Sequence, residues 1–457
     1  MSKGPDLRGR RFTILGAARS GLAVAELLKR HEALVFLSDK ASAEAMVGAR
    51  RELDRLGIGY EFGGHTDRVL EAGTLVVSPG VPSDAPIVRR AVGAGISVVS
   101  ELEVASWFCP GPIVGITGTN GKTTTTALAG RMFEDARVPS VVAGNIGTAF
   151  SQVVPAMTER TTAILEVSSF QLDHVATFRP RVAVLLNITP DHLDRYEHSM
   201  EKYIAAKRRI FEHQGEGDAL IYNHDDPLTR SQVTGVPKGV RRLPFSVREG
   251  VPEGAFLESG QMVAVVGGKR ADIIAPEAIS IRGAHNLANA MAATLAARCM
   301  GIPASSIRAT LRNFKGVEHR LEFVRDVQGV WFVNDSKATN VDSVWYALQS
   351  FQQPIVLMLG GRDKGNDYSR LHELVQRNVK HIVAIGESAQ KVIAAFRDLV
   401  PVSRAASMEE AVRSAVSAAA PGDVVLLSPA CASFDWFENY EQRGRVFKEA
   451  VMKLQPA

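Results

Sequence analysis

Residues 115–124, Gly115-Ile116-Thr117-Gly118-Thr119-Asn120-Gly121-Lys122-Thr123-Thr124, place a glycine-rich turn between a strand-like run, residues 113–116, and a helix-like run, residues 123–133. The usual phosphate loop is a glycine, any four residues, then Gly-Lys-Ser/Thr. Counting back five from Gly121 reaches Ile116, and the expected glycine stands one place earlier at Gly115. The working parts are nevertheless present. Gly118, Asn120 and Gly121 let backbone amides converge on phosphate oxygens. The next helix adds its positive end, Lys122 adds charge, and the Thr123 hydroxyl can ligate Mg²⁺. A strand, a phosphate turn and a helix in that order point to an α/β fold built of βα units.

Working outward, strand-like runs at 163–167 and 182–187 end in polar residues, bringing Glu166 and the pair Asp191-His192 to the sheet edge that carries the phosphate loop. Open parallel sheets bind ligands at the carboxyl ends of their strands. Lys207, within Tyr203-Ile204-Ala205-Ala206-Lys207-Arg208-Arg209-Ile210, reads by composition as one cation on a solvated helix face. A β-rich insert is expected at 243–281 and a helix at 286–300. Asn286 and Asn289 lie three apart on one helix face, so both amides can meet one polar ring edge, although Asn286 also suits a helix cap.

Turn-rich joints at Cys109-Pro110-Gly111-Pro112 and Asn313-Phe314-Lys315-Gly316 divide the chain into blocks at 1–108, 109–316 and 317–457. Three domains suit 457 residues. The first block has a strand at 11–15, Gly16-Ala17-Ala18-Arg19-Ser20-Gly21, a helix at 22–29 and a strand ending near Ser38-Asp39. This is a Rossmann-like opening with Asp39 placed for a ribose hydroxyl, but Ala18 replaces the central glycine and argues against a nicotinamide cofactor. The last block repeats the βα rhythm. Its strands, at 330–333, 355–359, 381–385 and 424–427, end in loops that carry Asp335, Ser336, Lys337, Thr339, Asn340, Lys364, Ser428 and Ser433. Cations mixed with hydroxyls suit a small anionic substrate. His319-Arg320, at the second joint, offers an arginine to phosphates.

Bulk properties narrow the class. Lys plus Arg number 53 against 49 Asp plus Glu, without a basic block, so nucleic acid is not implied. Cys109, Cys299 and Cys431 form neither a disulfide framework nor a metal spacing, and Cys431 has no nearby histidine to make it a nucleophile. A soluble, untargeted protein of a reducing compartment, without a membrane segment, is expected.

These motifs resemble the Mur ligases, ATP-dependent amide-forming enzymes of peptidoglycan synthesis. The likeness covers essentially the whole chain. It is carried by Gly118-Thr119-Asn120-Gly121-Lys122-Thr123, by Glu-Val-Ser-Ser-Phe-Gln-Leu at 166–172, and by Asn-Ile-Thr-Pro-Asp-His-Leu-Asp at 187–194. The Ser-Ser-Phe-Gln-Leu portion resembles the branch that adds D-glutamate. The resemblance implies three α/β domains: a Rossmann-like UDP-substrate domain, a central ATPase domain of phosphate-loop type, and a Rossmann-like amino-acid domain. It implies that Gly118, Thr119, Asn120, Gly121, Lys122, Thr123 and Thr124 hold ATP phosphates. Asn286, Asn289, Arg320 and Asp335 would also contact ATP. Two Mg²⁺ ions are implied, with Thr123, Glu166, His192 and Lys207 as ligands. Lys207 matches a lysine carbamylated by CO₂, which adds a carboxylate able to ligate a metal where a bare ammonium cannot. Lys122, His192 and Lys207 form the implied catalytic set.

The substrates implied are UDP-N-acetylmuramoyl-L-alanine, at Ser20, Asp39, Gly80 and Asn145, the last within Gly144-Asn145-Ile146-Gly147, and D-glutamate, at Lys337, Thr339, Lys364, Ser433, Phe434 and Tyr440. Tyr440 stands where phenylalanine is expected, and Lys40-Ala41 after Asp39 departs from the pattern. A cytoplasmic monomer whose C-terminal block closes near residue 316 is expected. Other readings are a sister amide ligase, including the folate polyglutamate type, a non-catalytic nucleotide-binding regulator, and a nicotinamide dehydrogenase. The Ser-Ser-Phe-Gln-Leu stretch weighs against the first, the several lysines on ligase positions against the second, and Ala18 against the third.

Overall fold

The computed structural model describes residues 4–145, 147–281, 283–363 and 365–454. Ile146 and the predicted substrate residue Lys364 lie outside them. The first sheet is wholly parallel, with β1 (Arg11–Leu15), β2 (Leu34–Asp39), β3 (Gly59–Phe62), β4 (Thr74–Val77) and β5 (Ser97–Ser100) in the order β3-β2-β1-β4-β5. Strand order reverses at β1, so the loops after β1 and β4 open a crevice there. Helix α1 (Arg19–Arg30) starts three residues before the expected 22. Gly21 is part of the helix instead of preceding it, and a Cβ there would lie 1.9 Å from the Gly16 carbonyl oxygen. The absence of a side chain lets the helix sit directly on the loop. Helix α2 (Glu101–Trp107) closes this region, with Ser100 as its N-cap.

The second sheet has nine strands, in the order β14-β13-β12-β11-β10-β9-β6-β8-β7. They are β6 (Ile113–Thr117), β7 (Ser140–Gly144), β8 (Thr162–Glu166), β9 (Val182–Leu185), β10 (Ala219–Asn223), β11 (Arg241–Phe245), β12 (Gly254–Glu258), β13 (Gln261–Val266) and β14 (Lys269–Ile274). The predicted β-rich insert is the antiparallel pair of hairpins β12-β13-β14. Their two-residue turns, Ser259-Gly260 and Gly267-Gly268, have the positive φ values that twist-matched hairpin turns require. Helix α3 (Lys122–Asp135) follows the phosphate loop, α4 (Met200–Glu212) carries Lys207, and α5 (Ala284–Cys299) carries Asn286 and Asn289.

The third sheet contains β15 (Glu322–Val327), β16 (Val330–Asn334), β17 (Ile355–Gly360), β18 (Val379–Ile385), β19 (Val402–Arg404) and β20 (Val424–Leu427), ordered β15-β16-β20-β17-β18-β19. β15 corrects the expected pure βα rhythm: it is an antiparallel edge strand joined to β16 by Gln328-Gly329, both at positive φ. Helix α6 (Tyr440–Met452) packs on this end, with Asn439 as its N-cap.

Two compact units result. One runs to Ala278 and resumes at Ala288–Arg312; the other comprises Ile279–Leu287 and the chain from Asn313 onward. The joint at 109–112 therefore lies inside the first unit. The reason is a continuous apolar core, in which Leu27, Leu102 and Ala105 pack with Phe150, Leu165 and Leu172. Glu103 adds a polar fastening: its fully buried carboxylate accepts from the amides of Ala176, Thr177 and Phe178, the Thr177 hydroxyl and the Trp107 indole.

Candidate active site

The loop after β6 is held by its neighbour after β9. Asn187 accepts from the Asn120 amide at 2.8 Å and returns its own Nδ2 to the Asn120 carbonyl at 3.0 Å. The Thr119 amide donates to the Asn187 carbonyl at 3.0 Å, and the Thr119 hydroxyl accepts from the Thr189 amide. The expectation that the Asn120 amide faces phosphate is thus corrected: that N–H fixes the shape of the loop. Gly121 takes φ 84° and forms the N-cap of α3. A Cβ on it would stand 2.3 Å from the Asn289 Oδ1, so the glycine makes room for a buried amide from α5. Asn286 lies inside the first turn of α5, not at its cap. Lys122 folds back, donating to the Gly118 and Thr119 carbonyls at 2.9 and 2.7 Å. Thr123 and Thr124 are buried in the first turn of α3.

Lys207 is not a solvated residue. It is 1% exposed, and its Nζ donates to the same Gly118 carbonyl at 2.8 Å and lies 4.7 Å from the Tyr203 ring centre. Burial drives its pKa well below the ordinary lysine value. The nearby Lys122 charge pushes the same way, and Asp191 and Asp173 oppose it. Burial and a neighbouring cation both favour the neutral amine, which is the nucleophilic form of a lysine. Composition could not reveal this; only the packing of α4 under the loop does.

Glu166 ends β8 with one oxygen accepting from the Asn145 Nδ2 at 3.0 Å. Its other oxygen is buried without a hydrogen-bond partner. An unpaired buried carboxylate oxygen is costly and fits a cation. His192 takes a left-handed φ of 54° in the turn before Leu193–Tyr196, its ring edge-on to Phe170 at 5.2 Å and 3.7 Å from an Asp191 oxygen. The unpaired Glu166 oxygen is a hard donor of the kind Mg²⁺ prefers, and His192 offers a nitrogen. Another acidic group, Glu318-His319-Glu322, is compact among the described residues, but Lys448, 2.6 Å from Glu318 and 2.9 Å from Glu322, already engages both carboxylates.

A cavity of about 930 Å³ opens at the crevice of the first sheet, lined by Ser20, Asp39, Ser78 and Gly80, with Asn145 and Gln171 from the second sheet region. Asn145 thus faces the cavity while holding Glu166. Asp39, which lines the cavity, also shapes its wall: its oxygens accept from the Ala17 amide at 2.6 Å and the Ala41 amide at 2.8 Å.

In the second unit, Asp335 follows β16 and is fully buried. It accepts from the Ser428 hydroxyl at 2.8 Å and the Leu321 amide at 3.2 Å. Burial raises its pKa to about 6, against the lowering effects of Arg320 and these hydrogen bonds. The Nε of Arg320 is buried without a partner. Lys337 places its Nζ 5.4 Å from the Tyr440 ring centre, a cation–π contact that phenylalanine would also make. Thr339 is half-buried, Ser433 buried and Phe434 60% exposed.

Sequence reasoning missed the organiser of these loops, Arg443 on α6. Its buried guanidinium donates to the Ser336 hydroxyl (2.9 Å), the Ser336 carbonyl (2.7 Å), the Cys431 carbonyl (3.1 Å) and the Ala432 carbonyl (3.2 Å). It joins the loops after β16 and β20, a contact between residues over a hundred apart in sequence. Asn187 and Arg195 were missed as well, though both lie in or beside the 187–194 motif.

Comparison with known proteins agrees along the chain. The Mur ligase MurD-like N-terminal domain matches residues 10–100, the Mur ligase middle domain 116–297, and the Mur ligase glutamate ligase domain 319–431. UDP-N-acetylmuramoylalanine--D-glutamate ligase of Salinibacter ruber is 51% identical, covering 98% of this chain and 99% of that protein. The protein of the same name from Chloroherpeton thalassium is 45% identical at 98% and 99% coverage. Among solved structures, a pseudomurein peptide ligase type C from Methanothermus fervidus shares the fold, with a TM-score of 0.60, 18% identity, and 98% and 100% coverage.

Proposed function

This chain belongs to the Mur ligase family, and from that premise we propose that it joins D-glutamate to UDP-N-acetylmuramoyl-L-alanine at the expense of ATP in peptidoglycan precursor synthesis. The single observation that carries the reading is full-length identity of 45–51% to ligases bearing that activity in their names. The cavity at Ser20, Asp39, Gly80 and Asn145 suits the UDP-sugar, and the loop from Gly118 to Thr124, with Asn289, suits ATP. Lys337, Thr339, Ser433, Phe434 and Tyr440, with Lys364, take D-glutamate, and Asn286, Arg320 and Asp335 contact ATP. The three blocks at 1–108, 109–316 and 317–457 divide these tasks. The protein works as a cytoplasmic monomer; no helix of the described residues is long and apolar enough to cross a membrane.

A carboxylate is a poor acyl donor, so the L-alanine carboxylate first attacks the γ-phosphorus of ATP. A C–O–P linkage forms, the P–O bond to the β-phosphate breaks, and ADP leaves. The deprotonated amine of D-glutamate then attacks the carbonyl carbon; the C–N bond forms and phosphate departs. Lys122 and the N-terminus of α3 stabilise charge on the transferring group. Thr123, Glu166, His192 and carbamylated Lys207 would hold two Mg²⁺ ions, which supply Lewis-acid charge neutralisation when bound. Burial that favours the neutral amine of Lys207 supports carbamylation, because CO₂ reacts with the free base. Incubation with ATP and UDP-N-acetylmuramoyl-L-alanine without amino acid, followed by borohydride, should yield the reduced alaninol derivative. Recovery of unreacted carboxylate alone would rule out the acyl phosphate.

A further inference from the structure

We propose that Arg195 is a positioning residue that couples occupancy of the UDP-sugar cavity to the placement of His192. The inference rests on the reading above, in which that cavity holds the acyl substrate and His192 serves the phosphoryl site. The guanidinium of Arg195 donates to the Val81 carbonyl at 3.0 Å and approaches the Pro79 carbonyl at 3.5 Å. Both carbonyls belong to the loop after β4, whose residues Ser78 to Pro82 wall the cavity. The same guanidinium lies 4.4 Å from the Phe170 ring centre. Phe170 meets His192 edge-on and stacks on Tyr196 at 6.1 Å. The Arg195 amide also donates to the His192 carbonyl at 3.0 Å, closing the turn in which His192 holds its positive φ.

A second tie runs alongside. Ser83, just beyond the cavity loop, donates to the Asp173 Oδ2 at 3.4 Å, and the Tyr196 hydroxyl donates to that same oxygen at 3.1 Å. Arg195 and Tyr196 are consecutive residues of one short 3₁₀ turn, so two separate links fasten that turn to the loop. The turn that carries Phe170 is held by a complete capping box between Ser168 and Gln171. A planar guanidinium suits this place: one face covers the ring while the edge donates to carbonyls, which an ammonium cannot do together. A ligand that settles the Pro79–Val81 loop thereby settles the Arg195–Phe170 stack and the histidine against it. Coupling of this kind is a difference in the affinity of one ligand caused by the other.

The test is calorimetric binding of Mg²⁺ and a non-hydrolysable ATP analogue, with and without UDP-N-acetylmuramoyl-L-alanine, in the full chain and in Arg195→Lys, Arg195→Ala and Phe170→Leu. In the parent chain the UDP-sugar should tighten nucleotide binding. In Arg195→Lys that tightening should fall about tenfold, while each ligand alone binds within about threefold of the parent. Arg195→Lys keeps the charge and carries the test if Arg195→Ala does not fold. Undiminished tightening in Arg195→Lys, equal weakening of both single ligands, or no tightening in the parent would each overturn the coupling. A parent chain that binds no UDP-sugar would instead overturn the functional reading.

Discussion

Two buried cations, one in each compact unit, meet the same burial with different outcomes. Lys207 and Arg443 are each 1% exposed, and neither is hydrogen-bonded to a carboxylate. Lys207 has a compact charge, a hydrogen bond to the Gly118 carbonyl and a second lysine nearby, so burial pushes its pKa well down towards the neutral amine. Arg443 spreads its charge over a planar group with four hydrogen bonds, and its pKa falls only to about 10, so it stays charged. Burial by itself does not make a residue reactive. The number of acceptors offered, and the chemistry of the head group, decide whether a buried cation becomes a nucleophile or a fastening.

The largest effect expected from that contrast is at Lys207. Lys207→Ala should lower kcat about 10³-fold, with no recovery on adding bicarbonate and partial recovery with small carboxylic acids that replace the lost carboxylate. Steady-state turnover decides it, and near-normal activity would place Lys207 with the structural cations. Next comes Arg443→Met, which strips donors from Ser336, Cys431 and Ala432; at about 1 kcal/mol per hydrogen bond the second unit should lose about 4 kcal/mol. Urea unfolding followed by Trp fluorescence measures it, and a loss below about 1 kcal/mol would remove Arg443 from its organising role.

Asp335 sharpens the comparison from the acidic side. Its folded pKa of about 6 lies above the ordinary 3.8, so its contribution to stability is fully present below pH 3.8 and is lost as pH rises through 6. Relative to Asp335→Asn, the ligand-free protein should therefore lose about 2.4 kcal/mol between pH 4 and pH 7. Parallel stability curves for the two proteins would contradict this. The smallest effect concerns Tyr440: Tyr440→Phe should leave the KM for D-glutamate within about twofold, and Tyr440→Ala should raise it about fivefold, the size of a cation–π contact near the surface.

The parts of the fold that could be read from sequence are those whose cause is local. The turn at Gly118–Lys122 announces itself because strand, glycines, lysine and helix are contiguous, and β20 begins and ends where its apolar run does. β15 was missed because Glu322–Val327 mixes charged and apolar residues, as an exposed edge strand should, while its Gln328-Gly329 turn lacks the more familiar Asn-Gly pair. At the site, residue types at strand ends were legible, but their pairing was not. Asp39 was visible as a carboxylate after β2, yet its engagement with Ala17 and Ala41 depends on the shape of the loop. Lys207 and Arg443 could not be told from surface cations, because the groups that bury them come from distant segments.

The most direct test of the assignment is ATP-dependent phosphate release with UDP-N-acetylmuramoyl-L-alanine while the amino acid is varied. Turnover is expected with D-glutamate and none with L-lysine or L-alanine. Turnover with either of those and none with D-glutamate would contradict it.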